Sequence, residues 1–214
     1  MGLGISVGVL SGRDNHDANR DEGLAPGWAA INKVLNAAGL PAHVEPRSLP
    51  QLDSRSELDG FPYSYIHYLR RAYAHRRADP AWLATPLPKG EDPSQDEVLQ
   101  AEYDYLSSHL ICHSDAEGYY VPVDFEEVLF AENGDTGLPG GMLGSSYRLM
   151  EELVLVAPAL GIQLNNGQLS DAEAARICAE AMQQTSCYRE LESWILLFEC
   201  ARLSLTHKTA IVFC

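Results

Sequence analysis

An α/β or α+β fold is predicted: a single domain over residues 1–214, with a small mixed β-sheet packed by five or six helices and a mainly helical C-terminal half. Three observations carry this reading. Near the start, an apolar segment of period two gives way to one of helical period. Beyond residue 143, apolar residues recur at helical spacing through three long segments. No repeat or low-complexity tract divides the chain, and 46% hydrophobic with 21% charged residues is the composition of a globular domain.

Residues 4–10 alternate Ile5, Val7 and Val9 with Ser6 and Gly8, the pattern of a first strand. A polar turn covers 11–23. Pro26 then suits the first turn of a helix carrying Trp28, Ile31, Val34 and Leu35 and closed by Gly39. Residues 42–45 read as a short second strand ended by Pro46, and 49–60 as a loop. Pro62 opens a helix to Arg77, with Ile66, Leu69 and Tyr73 on one side, which Asp79-Pro80 terminates. Residues 84–96 hold three prolines and a glycine, the composition of a flap or linker inside the domain. Residues 95–107 read as helix.

Residues 110–113 and 119–123 predict a hairpin closed by 114–118. Pro122 has no N–H for a ladder, which places the second strand at an edge or interrupts it. Leu143, Tyr147, Met150, Val154 and Ala157 form one helical stripe. Ser170 with Glu173 is a capping box opening a helix to about Gln184. The longest helix is 188–205. Its centre, Trp194 to Phe198, is apolar on all sides and so belongs in the core. Residues 209–213 form a final strand.

The net charge is −15 and the pI near 4.7. Phosphate contact needs clustered Lys and Arg, so a nucleic-acid binder is excluded. Residues 108–214 hold 5 Lys or Arg against 15 Asp or Glu and so carry −10 of the −15. Five cysteines are odd in number, widely spaced and without a Cys-x-x-Cys pair. No basic n-region opens the chain, and no apolar run is long enough for a membrane span. The expectation is a cytoplasmic protein with reduced thiols and no membrane contact.

Two constellations could carry chemistry. At strand spacing His109, His113 and Asp115 share a face and could bind a divalent metal, Zn²⁺ or Fe²⁺, with an open position for an activated water. The other reading makes Asp115 and Gly118 turn residues and the histidines hydrogen-bonded members of a sheet. Downstream, Gly140, Gly141 and Gly144 lead to Ser145 and Ser146, where a helix start could hold a phosphate or carboxylate. Neither a Walker loop nor a nucleophile elbow is present. Cys112 beside His113 cannot pair with it along a regular strand and reads as a small buried residue.

Three further features have plain structural readings. Arg70, Arg71, His75, Arg76 and Arg77 lie among Tyr63, Tyr65, Tyr68 and Tyr73, a solvated basic helix face or an internal or intersubunit contact with the acidic C-terminal half. Asp14, Asp17, Asn19, Asp21 and Glu22 resemble a Ca²⁺ loop, but Glu22 and Trp28 at its sixth and twelfth positions exclude an EF-hand. Glu199 lies three residues before Arg202 and is expected to form a core ion pair.

Two functions follow. In the favoured one the chain is an acidic binding protein that docks a basic protein partner through its C-terminal half. Its charge is similar to that of small inhibitors such as the immunity proteins that neutralise basic nucleases, with no motif shared. In the alternative it is a small metal-assisted hydrolase with a cleft between the 113–118 turn and the 140–146 helix start. His113, Asp115 and Glu117 would then be the ligands or acid/base groups, and Gly141, Gly144, Ser145 and Ser146 the anion site.

Overall fold

The computed structural model describes residues 2–11, 18–131 and 137–214. The side chains of 18–22 also lie outside the description, and with them the whole Asp14–Glu22 cation loop considered above. One mixed sheet of six strands organises the domain: β1 (Gly2–Val7), β2 (Gly60–Pro62), β3 (Gly118–Val121), β4 (Leu129–Phe130), β5 (Met142–Ser145) and, across a separate two-stranded ribbon β6 (Leu164–Asn165) and β7 (Gln168–Leu169), β8 (Ile211–Phe213). The order across the large sheet is β2-β1-β8-β3-β5-β4. All its pairings are antiparallel except β3 with β5.

Alternation along each strand splits the interior in two. Leu3, Ile5, Tyr120, Ile211 and Phe213 face one core. There they meet α2 (Tyr65–Ala78), α5 (Ser146–Val156), α6 (Asp171–Met182) and α7 (Tyr188–His207). Tyr119, Val121, Leu143 and Val212 face the other core, against Ile31 and Leu35 of α1 (Ala18–Ala37). The expected core helix is α7: Trp194 to Phe198 are all buried, Trp194 stacks on Phe198 at 4.6 Å, and its indole N–H donates to the Leu153 carbonyl at 2.8 Å. The single α/β domain predicted from the pattern is present, with α3 (Glu97–Tyr103) and the one-turn α4 (His109–Cys112) completing seven helices among the described residues.

Several expectations are corrected. α1 begins eight residues before Pro26, which lies inside it. Residues 42–45 pair with no strand. The Asn32 side-chain amide instead bonds both backbone groups of His43, at 2.9 and 2.7 Å. His43 and Glu45 are turned inward, 2.8 Å apart, and the Glu45 carboxylate also takes Thr209 Oγ1 and the Ala210 N–H at 2.7 Å. That network ties the segment to the start of β8. The 49–60 loop runs into a strand, β2.

The 110–123 hairpin does not form. Residues 109–112 make one helical turn. Ser108 Oγ accepts from the Ile111 N–H at 3.0 Å, and the Glu152 carboxylate of α5 accepts from the His109 and Leu110 N–H groups at 2.9 and 2.6 Å. A side chain 43 residues beyond His109 therefore supplies the partners that orphan helix-start donors require. β3 is an interior strand between β5 and β8, and it ends at Val121, so Pro122 costs the ladder nothing.

The glycine-rich approach to α5 is a single turn at Pro139–Gly141 followed by strand β5. Gly144 is obligatory there: a Cβ would fall 2.2 Å from Tyr120 Cδ1. Tyr120 is fully buried and held by its hydroxyl on the His109 carbonyl at 2.9 Å, so it cannot retreat. Gly144→Ala is expected to cost about 1–3 kcal/mol by overpacking. The check is a lower urea midpoint at unchanged slope.

Candidate functional site

The two sequence constellations do meet, through direct hydrogen bonds. Glu117 Oε1 accepts the Gly140 N–H at 3.2 Å, and His109 Nδ1 accepts the Ser145 N–H at 3.0 Å. Ser145 and Ser146 are 0% exposed. Ser145 caps α5 and donates to the Val123 carbonyl at 2.7 Å, and Ser146 bonds Ser204 at 2.7 Å. The expected anion site is therefore sealed inside the sheet-helix junction. Gly141 is exposed but lies on the far side of β5 from that helix start.

The metal triad fails on its own geometry. His109 uses both ring nitrogens, Nδ1 on Ser145 and Nε2 on the Glu126 carbonyl at 3.0 Å. His113 is 2% exposed, stacked on Tyr120 at 4.2 Å and tilted against Phe213 at 4.4 Å, and the missing Cβ of Gly118 lets its ring seat there. Asp115 pairs instead with His67 at 3.0 Å. Among the described residues no group of three His, Cys, Asp or Glu is placed to hold a metal ion. His113, Asp115 and Glu117 thus point to three different neighbourhoods and do not converge on one point.

Burial gives two of these groups opposed pH effects. Burial pushes the Glu152 carboxyl up to about 7, despite the N–H bonds from Leu110 and His109. Its contribution to stability is present below the ordinary carboxylate value and is lost as pH rises toward 7. Burial pushes His113 down to about 3, so its contribution is present above the ordinary imidazole value and is lost as pH falls toward 3. Between about pH 4.5 and 6.5 the two oppose each other. Glu152→Gln removes the first and leaves the second. Its unfolding free energy should therefore fall more steeply with acid than the parent's, by up to about 1.4 kcal/mol per pH unit. Urea midpoints measured from pH 7 to 5 check this, and parallel profiles would count against it.

Where the arginines go decides the surface. α2 does not present a free basic face. Arg70 is buried and donates to the carbonyls of Leu110, at 2.9 Å, and His113. Arg71 and His75 both hold Asp96, at 2.8 and 2.9 Å, and Arg77 holds Glu102 at 2.7 Å. The proline-rich 84–96 segment, continuing into α3, is thereby strapped along α2. Its backbone is irregular apart from one turn at Pro93–Gln95. The contact expected with the acidic C-terminal half is made mostly with this segment instead.

Carboxylates of the last two long helices are also spent internally. Arg176 pairs with Glu173 and Glu180 at 2.6 and 2.7 Å. Glu199, with a side chain 0% exposed, lies between Arg55 at 2.5 Å and Arg202 at 2.7 Å. Burial pushes Glu199 up, but the bonds from Arg202 and Arg55 together hold it below the usual carboxylate value. The core ion pair with Arg202 is as expected, and Arg55 is the partner the sequence did not reveal. Residues 148–214 carry a net of only −3, five Lys or Arg against eight Asp or Glu, so most of the excess charge of the C-terminal half lies between residues 108 and 147.

The charge is concentrated across the middle of the chain. From Ala78 to Tyr147 the chain has fourteen Asp or Glu and one cation, Lys89, a net of −13 out of −15. Within this stretch Glu91, Glu97, Asp104, Glu126 and Glu127 are exposed, and no ion pair engages them among the described residues. Arg148, at its border, is bound to Asp124 and Glu151 at 2.8 and 2.9 Å. The signal was present in the sequence, but dividing the chain at residue 107 cut it in two. This stretch, poor in cations of its own, is the candidate site.

A protein-family model described as "Putative DNA-mimic protein" matches residues 1–213. Neither the curated proteins nor the solved structures yielded a match.

Proposed function

Since the chain belongs to this DNA-mimic family, we propose that it occupies the DNA-binding face of a basic protein, with the carboxylates of residues 78–147 standing where phosphates would lie. The observation that carries this is the separation of charge. Arg55, Arg71, Arg77, Arg148, Arg176 and Arg202 are consumed by internal ion pairs, while one continuous stretch displays carboxylates to solvent with a single lysine among them. Duplex DNA presents a dense row of negative charge that its binders meet with clustered Lys and Arg. A protein surface of like sign competes for those same cations while offering nothing to DNA itself. Five free thiols fit a reducing compartment, and the cytoplasm is the place proposed for this activity. No helix among the described residues is long and apolar enough to cross a membrane.

The test is competition. The immobilised protein is incubated with the proteins that salt elutes from double-stranded DNA–cellulose. Retained proteins should be released by added duplex DNA and by rising salt, with log affinity falling roughly linearly with log salt. Retention indifferent to both would overturn the proposal.

A further inference from the structure

The turn after α3 has no structural reason for its composition. Tyr105 is 69% exposed and Leu106 55% exposed, and neither packs against either core. Leu106 has φ +51°, the left-handed region in which helices are closed by glycine and where a side chain is strained. Gln184 and Lys208 close α6 and α7 in the same way, but their side chains are polar and belong in water. Leu106 combines a strained backbone with an apolar group in solvent.

The turn is held firmly. Arg77 Nη1 donates to Glu102 Oε2 on one side, at 2.7 Å, and to Ser107 Oγ on the other, at 3.2 Å. Within it, the Tyr105 N–H donates to the Glu102 carbonyl at 3.3 Å. Beside it stand Glu97 and Asp104, seven residues apart and so on one side of the helix, roughly 10 Å apart along its axis. Both are exposed carboxylates of the cation-poor stretch.

We propose that Tyr105 and Leu106 form an apolar knob that enters a pocket on the partner's DNA-binding face, while Glu97 and Asp104 meet the Lys and Arg around that pocket. This rests on the proposed capture of a DNA-binding protein and adds the element that holds the partner once caught. An apolar centre inside a charged rim is how protein interfaces concentrate their affinity, with Tyr favoured at the centre. Backbone strain kept at an exposed position is a pointer to function. The two parts divide the work: carboxylates govern the association rate and its salt dependence, and the knob governs residence time.

The test uses the full chain, immobilised, with the component of the DNA–cellulose eluate that binds it most tightly, purified, as probe. Tyr105→Ala should raise the dissociation rate by about ten-fold or more and leave the salt slope unchanged. Leu106→Gly should also speed dissociation, yet raise the melting temperature by about 2–4 °C as strain is released. Faster release from a more stable protein is a combination that a merely structural leucine does not give. If both variants release the probe at the parent rate while Glu97→Gln with Asp104→Asn slows association, the knob is refuted and the charge reading stands. A fall in melting temperature for Leu106→Gly also refutes it. If no eluted protein binds the parent chain, both readings fall.

Discussion

Converting Glu97, Asp104, Glu126 and Glu127 to their amides should weaken capture of a DNA-binding protein roughly 10- to 100-fold at low salt, with no loss of stability. The four side chains are exposed and make no ion pair among the described residues, so the fold does not depend on their charge. Amides keep size and shape and remove only the charge. Their loss relieves repulsion in a stretch of net −13, so the melting temperature should hold or rise slightly. Variant and parent should converge as salt rises, because the screening length falls to about 3 Å at 1 M. The informative control is Glu173→Gln. That carboxylate is already engaged by Arg176 on α6, so its removal changes net charge without touching the proposed surface. An equal loss of capture in the control would show that overall charge matters rather than this stretch, and would undo the assignment to 78–147.

Glu199→Ala should be the most damaging substitution for stability, at about 3 kcal/mol. The Glu199 carboxylate accepts from the Arg55 and Arg202 side chains and also from the Arg55 backbone N–H at 2.9 Å. Arg55 belongs to the long connection before β2, and Arg202 also reaches the Asp53 carbonyl at 2.7 Å, so the carboxylate pins that connection to α7. Alanine leaves two half-buried guanidinium groups facing each other with nothing between them. Both arginines keep some contact with water, which sets the loss at the lower end of the range for a broken buried pair. Because the carboxyl is held below its ordinary value, its contribution is complete above about pH 4.5 and is lost as pH falls further. The parent's advantage over Glu199→Gln in urea midpoint should therefore shrink in acid. A midpoint difference independent of pH would show that packing, not charge, is what Glu199 provides.

Patterns that live in a few consecutive residues could be read from the chain. The alternation of Ile5 and Val7, the apolar centre at Trp194–Phe198, the Ser170 cap and the pairing of Glu199 with Arg202 all depend on neighbours within one helical or strand repeat. The acidic character was equally legible, and so was its consequence, a binding protein, which the family match supports. What failed did so for one reason: the deciding partner was far away in sequence. Residues 109–112 became helix because Glu152 caps them, and 42–45 stayed single because Asn32 took the place of a strand.

The candidate site divides along the same line. Its charge was determined by the sequence alone, since fourteen carboxylates with one lysine cannot be neutralised locally whatever the fold. Which carboxylates remain free was decided only by tertiary structure, because an arginine reaches across space to Asp96, Glu102 or Glu199 and periodicity says nothing of such pairs. The glycine-serine helix start shows the converse. Its chemistry looked available in one dimension, and three-dimensional packing against Tyr120 and His109 closed it, since a helix start is open to a ligand only where no other side chain has already taken its donors.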